Sequence, residues 1–142
     1  MYISSVSELL ALPEFGRDRY LRLLPYVTAL PPNAKVNLCS ASGILLDSLI
    51  GPTHQEFSIL DPKQFAKNRE SQCFPSQQVF PTSFSDMARW TNKVQYRVGQ
   101  TSQYFRLTSI VTIGTADFAL YSLLQRDLSG QVKVLMRSFT PD

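Results

Sequence analysis

Upstream of about residue 100, apolar residues recur at helical spacing in short blocks broken by Pro and Gly. From Gln103 to Phe139 the pattern changes to alternation in β-branched and aromatic residues, with a turn at Leu128-Ser129-Gly130. The first regime predicts helices and the second predicts antiparallel strands.

Ser5 followed by Glu8 has capping-box spacing, and Val6, Leu9 and Leu10 form an apolar face behind it. Pro13 stops that helix. A second helix is expected from near Gly16, presenting Tyr20, Leu23, Leu24 and Val27, with Pro25 ending or kinking it. Leu30-Pro31-Pro32-Asn33 reads as a rigid connector. Ser40 is the expected N-cap of a third helix that buries Ala41, Ile44, Leu45 and Leu49 and stops at Gly51-Pro52. Asp61-Pro62 marks a further helix start, with Phe65 facing inward. Residues 70–82 are polar and read as a loop. Ser83 or Ser85 opens a last short helix carrying Phe84, Met87 and Ala88.

Residues 92–100 turn polar and mark the expected boundary between a helical module, 1–92, and an antiparallel β subdomain, 93–142. Three strands are expected at 104–113, 116–126 and 131–139, the first two joined by a tight hairpin at Gly114-Thr115. Phe105, Leu107, Phe118, Leu120, Val132 and Val134 are candidates for one buried face. The fold class is therefore α+β, mainly helical first and then a three-stranded antiparallel sheet.

At 142 residues the chain is long enough for one core or two small subdomains. Hydrophobic content of 44% and charged content of 18% are those of a soluble globular protein, not a disordered one. No apolar run approaches the roughly 18 residues that span a bilayer, and no signal segment opens the chain. The expectation is a cytoplasmic chain, or one trimmed of its leader or anchor. Net charge is +3, but it is thinly spread: residues 1–100 hold ten basic and eight acidic side chains. Only Arg17, Arg19 and Arg22 cluster, around Asp18, which reads as a solvated helix face and not a phosphate-binding strip.

Catalytic machinery is hard to find. His54, the single histidine, lies in a Pro/Gly-rich loop and reads as a surface or capping residue. No nucleophile elbow flanks a serine, and the six isolated glycines form no phosphate loop. Cys39 and Cys73 fit no zinc or CxxC spacing; they are either one disulfide or two buried thiols. Calcium remains open because oxygen ligands can come from scattered loops, here Asp47, Glu56, Asp61 and Glu70, though no EF-hand spacing is present. The alternative for each of these acids is a helix cap or a solvated group. An enzyme is not expected.

Three blocks near the start carry a family resemblance: 6–10 (VSELL), 20–31 (YLRLLPYVTALP) and 36–42 (VNLCSAS). Near the end, 104–105 (YF), 120–127 (LYSLLQRD) and 132–135 (VKVL) continue it in order. Together they resemble the helical domain and final strands of the GspK-type minor pseudopilin of bacterial type II secretion systems. The resemblance implies a SAM-like, helix-hairpin-helix-like module followed by a pseudopilin-type sheet. It implies a non-enzymatic subunit at the pseudopilus tip, periplasmic and anchored to the inner membrane in the full-length protein. The implied partners are the minor pseudopilins of the I and J types, with Arg22, Tyr26, Trp90 and Tyr96 as candidate interface anchors. No cofactor is implied beyond the open question of calcium.

The chain departs from the family in three ways. Cys39 stands where the family places Asn, which suggests a bridge from Cys39 to Cys73. Residues 52–100 match poorly, so no family calcium ligand set carries over. The membrane-embedded N-terminal helix is not in this chain, and without it an apolar strip of the sheet is expected to be exposed unless the helical module covers it. The segment Val36–Ala41 also resembles the start of helix-hairpin-helix modules of DNA-uptake proteins, the alternative function. There, Ile50-Gly51-Pro52 stands where a glycine-flanked hairpin would offer its N–H groups, and Pro52 removes one donor. No nucleic-acid partner is expected.

Overall fold

The computed structural model describes residues 5–139. Packing groups the residues up to Ala34 with those from Gln103 onward, and makes Lys35–Ser102 a second unit. This grouping differs from the serial division at residue 92, because the polar segment 93–102 continues a helix and then pairs back to residues 36–37.

In the first unit, the capping box forms as the Ser5/Glu8 spacing predicts. The Ser5 amide donates to Glu8 Oε1 at 3.1 Å and the Ser5 hydroxyl accepts from the Ser7 amide at 3.3 Å. The turn it opens, Val6–Ala11, is a 3₁₀ helix that ends ahead of Pro13. Helix α1 spans Gly16–Leu23 and runs into a 3₁₀ turn, Leu24–Tyr26, where Pro25 sits in the first turn.

The same unit holds the sheet: β3 (Tyr104–Ile113), β4 (Ala116–Arg126) and β5 (Val132–Ser138) in that order, antiparallel throughout. Gly114 takes φ +63° in the β3–β4 turn, a conformation that disfavours any residue with a Cβ. The β4–β5 turn is held by Asp127, whose Oδ1 accepts from the Ser129 hydroxyl at 2.6 Å and the Gln131 amide at 3.0 Å. The Tyr104 hydroxyl donates to Asn33 Oδ1 at 3.3 Å, tying the first strand to the connector after α1.

The second unit is built around a parallel pair of two-residue strands, β1 (Val36–Asn37) and β2 (Val98–Gly99). Helix α2 spans Gly43–Ile50, α3 spans Pro62–Glu70, and α4 is a single turn, Met87–Arg89. Helix α4 continues as a π-helical turn, Trp90–Val94, and a 3₁₀ turn, Gln95–Arg97. Asp61 caps α3 by accepting from the Lys63 amide at 2.8 Å, with Pro62 as its first residue, as the sequence implies.

Two caps shift from expectation. Ser42, not Ser40, caps α2, accepting from the Leu45 amide; Asp86, not Ser83 or Ser85, caps α4. Of the residues expected to be buried around this helix, Ala41 is in the core and Leu45 and Leu49 pack partly buried against it, but Ile44 is 50% exposed, and the buried residues of α2 are Leu46, Asp47 and Ile50. Gly43 is where α2 meets the chain at Phe57: a Cβ there would collide with the Phe57 carbonyl oxygen.

The core of this unit joins Leu38, Leu46, Ile50, Val94 and Val98 to an aromatic cluster. Phe80 lies at its centre, fully buried, with ring centroids 5.9 Å from Phe57, 5.5 Å from Phe84 and 6.0 Å from Trp90. Such edge-on and tilted pairs add to the area term of burial.

Candidate protein-docking surface

The β3–β4–β5 register decides which side chains share a face. Phe105 pairs with Leu124, Leu107 with Ser122, Val111 with Phe118, and Leu124 with Val134. Because side chains alternate, Phe105, Leu107, Val111, Phe118, Leu120 and Val134 all point the same way, joined by Val132. This is the face that the alternation singles out. It is not buried: Phe118 is 53% exposed and Val132 59% exposed.

The opposite face is more polar. There the Arg106 guanidinium lies 5.4 Å from the Tyr121 ring centroid, and the Thr112 hydroxyl donates to Asp117 at 2.6 Å. This second face also carries Ile110 and Met136, 69% and 42% exposed, so the sheet is more apolar on the first face, and that open face has the chemistry of a docking surface.

In the second unit, a disulfide joins Cys39 to Cys73. Beside it, Arg69 of α3 ties three segments together. Its Nε donates to the Phe74 carbonyl and its Nη2 to the carbonyls of Leu38 and Ala41, each at 2.8 Å. The guanidinium stacks 4.2 Å from the Phe65 ring centroid. Sequence reading passed over Arg69, although its place four residues after Phe65 on a helix is a recognisable cation–π spacing.

The four acids considered for calcium have separate structural roles or none. Asp47 is buried and accepts from the amides of Phe57 at 3.0 Å and Ser58 at 2.8 Å. Burial pushes its carboxyl up, but the Ser58 hydroxyl, the two amides and the charge of nearby His54 together hold it below the ordinary carboxylate value. Asp61 is the α3 cap, Glu56 lies 3.1 Å from His54 Nε2, and Glu70 is exposed. Among the described residues no three His, Cys, Asp or Glu side chains are grouped so as to hold a metal ion.

The candidate anchors divide between the units. Arg22 ends α1 and is exposed, and Tyr26 is 41% exposed in the turn that follows. Tyr96 is 70% exposed, whereas Trp90 is 8% exposed and spends its ring on Phe80 and Phe84. Trp90 is thus a packing residue of the core. Gly51, considered for a phosphate-binding hairpin, is the C-cap of α2 in extended backbone, and its amide is already donated to the Asp47 carbonyl at 2.9 Å.

No family model matches the chain. It is 37% identical over 134 residues, 93% of its length, to the type II secretion system protein K of Pseudomonas aeruginosa. To the protein of the same name from Pectobacterium carotovorum subsp. carotovorum it is 30% identical over 96% of its length. Over nearly all of its length, this chain is similar to part of the type II secretion system protein K.

It spans 37% and 42% of the length of those two relatives. The chain also shares its fold with a chain of the GspK–GspI–GspJ complex of the enterotoxigenic Escherichia coli type 2 secretion system. That likeness has a TM-score of 0.72 at 19% identity and covers 97% of this chain and 48% of that one. The α+β order of helices and then a three-stranded antiparallel sheet is therefore an architecture already seen in a solved secretion-system subunit.

Proposed function

We propose that this chain works by protein–protein assembly and catalyses no reaction, as part of a minor pseudopilin at the tip of the type II secretion pseudopilus. The single observation that supports this most is the 37% identity to a type II secretion system protein K across 93% of the chain. The open apolar face of the sheet fits the same reading. Its partners are the I-type and J-type minor pseudopilins, in keeping with the complex in which the structural relative was solved. The working compartment is the periplasm, with the full-length protein held at the inner membrane by a helix outside this chain. Among the described residues, no helix is long and apolar enough to cross a membrane.

In this reading, the apolar face of β3–β5 is where a pseudopilin stem lies, and Arg22, Tyr26 and Tyr96 contribute to contacts with neighbouring subunits. The test is co-purification with the soluble domains of I-type and J-type minor pseudopilins, followed by size-exclusion chromatography. One shared peak of equimolar composition is the expected result. Separate peaks, persisting when a pseudopilin stem is fused ahead of residue 1, would remove the assembly reading.

A further inference from the structure

Helices α2 and α3 flank a solvent-open groove of about 650 Å³ within the second unit. Ile44, Phe57, Phe65 and Ala66 supply an apolar lining, and Arg69 and Glu70 are its charged residues. The volume falls in the range of specific ligand sites, and mostly apolar walls with few polar groups are their usual make-up.

Arg69 is the unusual member. It is half-buried, and all three of its hydrogen bonds go to neutral backbone carbonyls through Nε and Nη2. Among the described residues no carboxylate lies within ion-pair distance of it, so its charge is balanced only by dipoles and the Phe65 ring. Burial works against that charge and lowers the guanidinium pKa. Nη1, which takes no part in those three bonds, keeps donors for an incoming anion. Glu70 repels that anion, but it is exposed and water-screened, whereas Arg69 is partly desolvated.

We infer that this groove docks an apolar peptide segment of a partner protein that carries an acidic side chain. Its apolar side chains lie over Ile44, Phe57 and Phe65, and its carboxylate accepts from Arg69. A carboxylate there gains a charge-assisted bond in a partly desolvated setting, where such bonds are strongest. The open shape favours a peptide over an acyl chain, which would leave much of its length in water. The inference goes beyond the assembly reading and does not rest on it, since it concerns binding to this chain alone.

The test uses two probes, acetyl-Leu-Glu-Phe-amide and its Gln counterpart, titrated into the isotope-labelled chain with amide chemical shifts recorded. The Glu peptide is expected to shift the amides of Ile44, Phe65 and Ala66 saturably, and the Gln peptide to bind about tenfold more weakly. Equal binding by the two, or shifts confined elsewhere, would overturn the inference. Arg69→Gln endangers the fold by removing three backbone bonds, so Ala66→Trp is the more informative variant. It fills the groove from an exposed helix position and leaves Arg69 intact. Loss of binding with an otherwise unchanged spectrum is expected, and retained binding counts against the site. Glu70→Gln is expected to tighten the Glu peptide, and weakening would contradict the charge argument. Decanoate binding more tightly than the Glu peptide would replace the peptide by a lipid anion.

Discussion

The carboxylate of Asp47 accepts the backbone amide of Phe57 at 3.0 Å, so a buried acid in α2 anchors the loop that delivers an aromatic ring to the core. Its second oxygen takes the Ser58 amide at 2.8 Å, and both amides would otherwise need another partner. Because the folded Asp47 pKa lies below the unfolded value of about 3.9, its ionised form favours the folded state. That stability is present above about pH 4 and is lost as pH falls through the folded pKa. Asp47→Asn is therefore expected to cost about 1–3 kcal/mol at pH 7. Urea titrations of both proteins should show the difference narrowing below about pH 4. A pH-independent difference would show that shape, not charge, carries the contact.

The Cys39–Cys73 bridge closes a sequence separation of 34 residues. On the chain-entropy model such a loop is worth about 3–4 kcal/mol. Reduction, or the pair Cys39→Ser and Cys73→Ser, should lower the urea midpoint accordingly. An unchanged midpoint would mean that Arg69 and the packing around Phe74 hold the loop unaided.

Phe80 and Tyr96 make a controlled comparison of two aromatics in one unit. Phe80→Ala empties the centre of the ring cluster and is expected to cost about 3–5 kcal/mol. Tyr96→Ala, at an exposed position, should stay within about 0.5 kcal/mol. Thermal melts of both variants check this, and a Tyr96 effect as large as that of Phe80 would place its ring in the core.

The open sheet face should reveal itself in dilution experiments. Phe118→Ser with Val132→Thr removes apolar surface from residues that are more than half exposed. Concentration-dependent elution and binding of an apolar dye should both fall, with the melting temperature nearly unchanged. A sharp drop in melting temperature would instead mean that this face is packed.

Arg22→Glu and Tyr26→Ala test the proposed interface near the end of α1. Both side chains are exposed, so each variant should fold normally yet weaken co-purification with the I-type and J-type partners. Each substitution is expected to cost about 1–2 kcal/mol of binding if it removes an anchor. Normal complex formation by both would remove these residues from the interface.

Much of the local structure was legible because it depends on near neighbours. The Ser5/Glu8 box, the Asp61-Pro62 helix start and the stop at Gly51 each follow from hydrogen bonds within a few residues. The strand limits of β3 and β4 match the alternation, since Gly114 supplies the positive φ that the turn between them needs. The same alternation put Phe105, Leu107, Phe118, Leu120, Val132 and Val134 on one face, and the register agrees. Exposure of that face could not be read from the pattern, because alternation records which side is apolar and not what covers it.

Long-range choices stayed hidden. Nothing local to Val36 announces that it pairs in parallel with Val98, a partner set by the return of the whole chain. Phe80 sits in a Pro-rich polar stretch that reads as loop, yet it is the centre of the core because the rings of Phe57 and Trp90, from two other segments, converge on it beside its neighbour Phe84. The expected face of α2 holds for Ala41, Leu45 and Leu49 but not for Ile44, which is exposed, while Asp47 is buried because its carboxylate accepts the Phe57 and Ser58 amides. Arg69 belongs with these, since the carbonyls it holds come from residues 38, 41 and 74. By itself the sequence determined the Ser5 and Asp61 caps, the turns, the limits of β3 and β4 and the resemblance to protein K, all carried by short-range chemistry or ordered blocks. Only the tertiary structure decided which polar groups are buried and which apolar face is left open, because burial depends on segments distant in the chain.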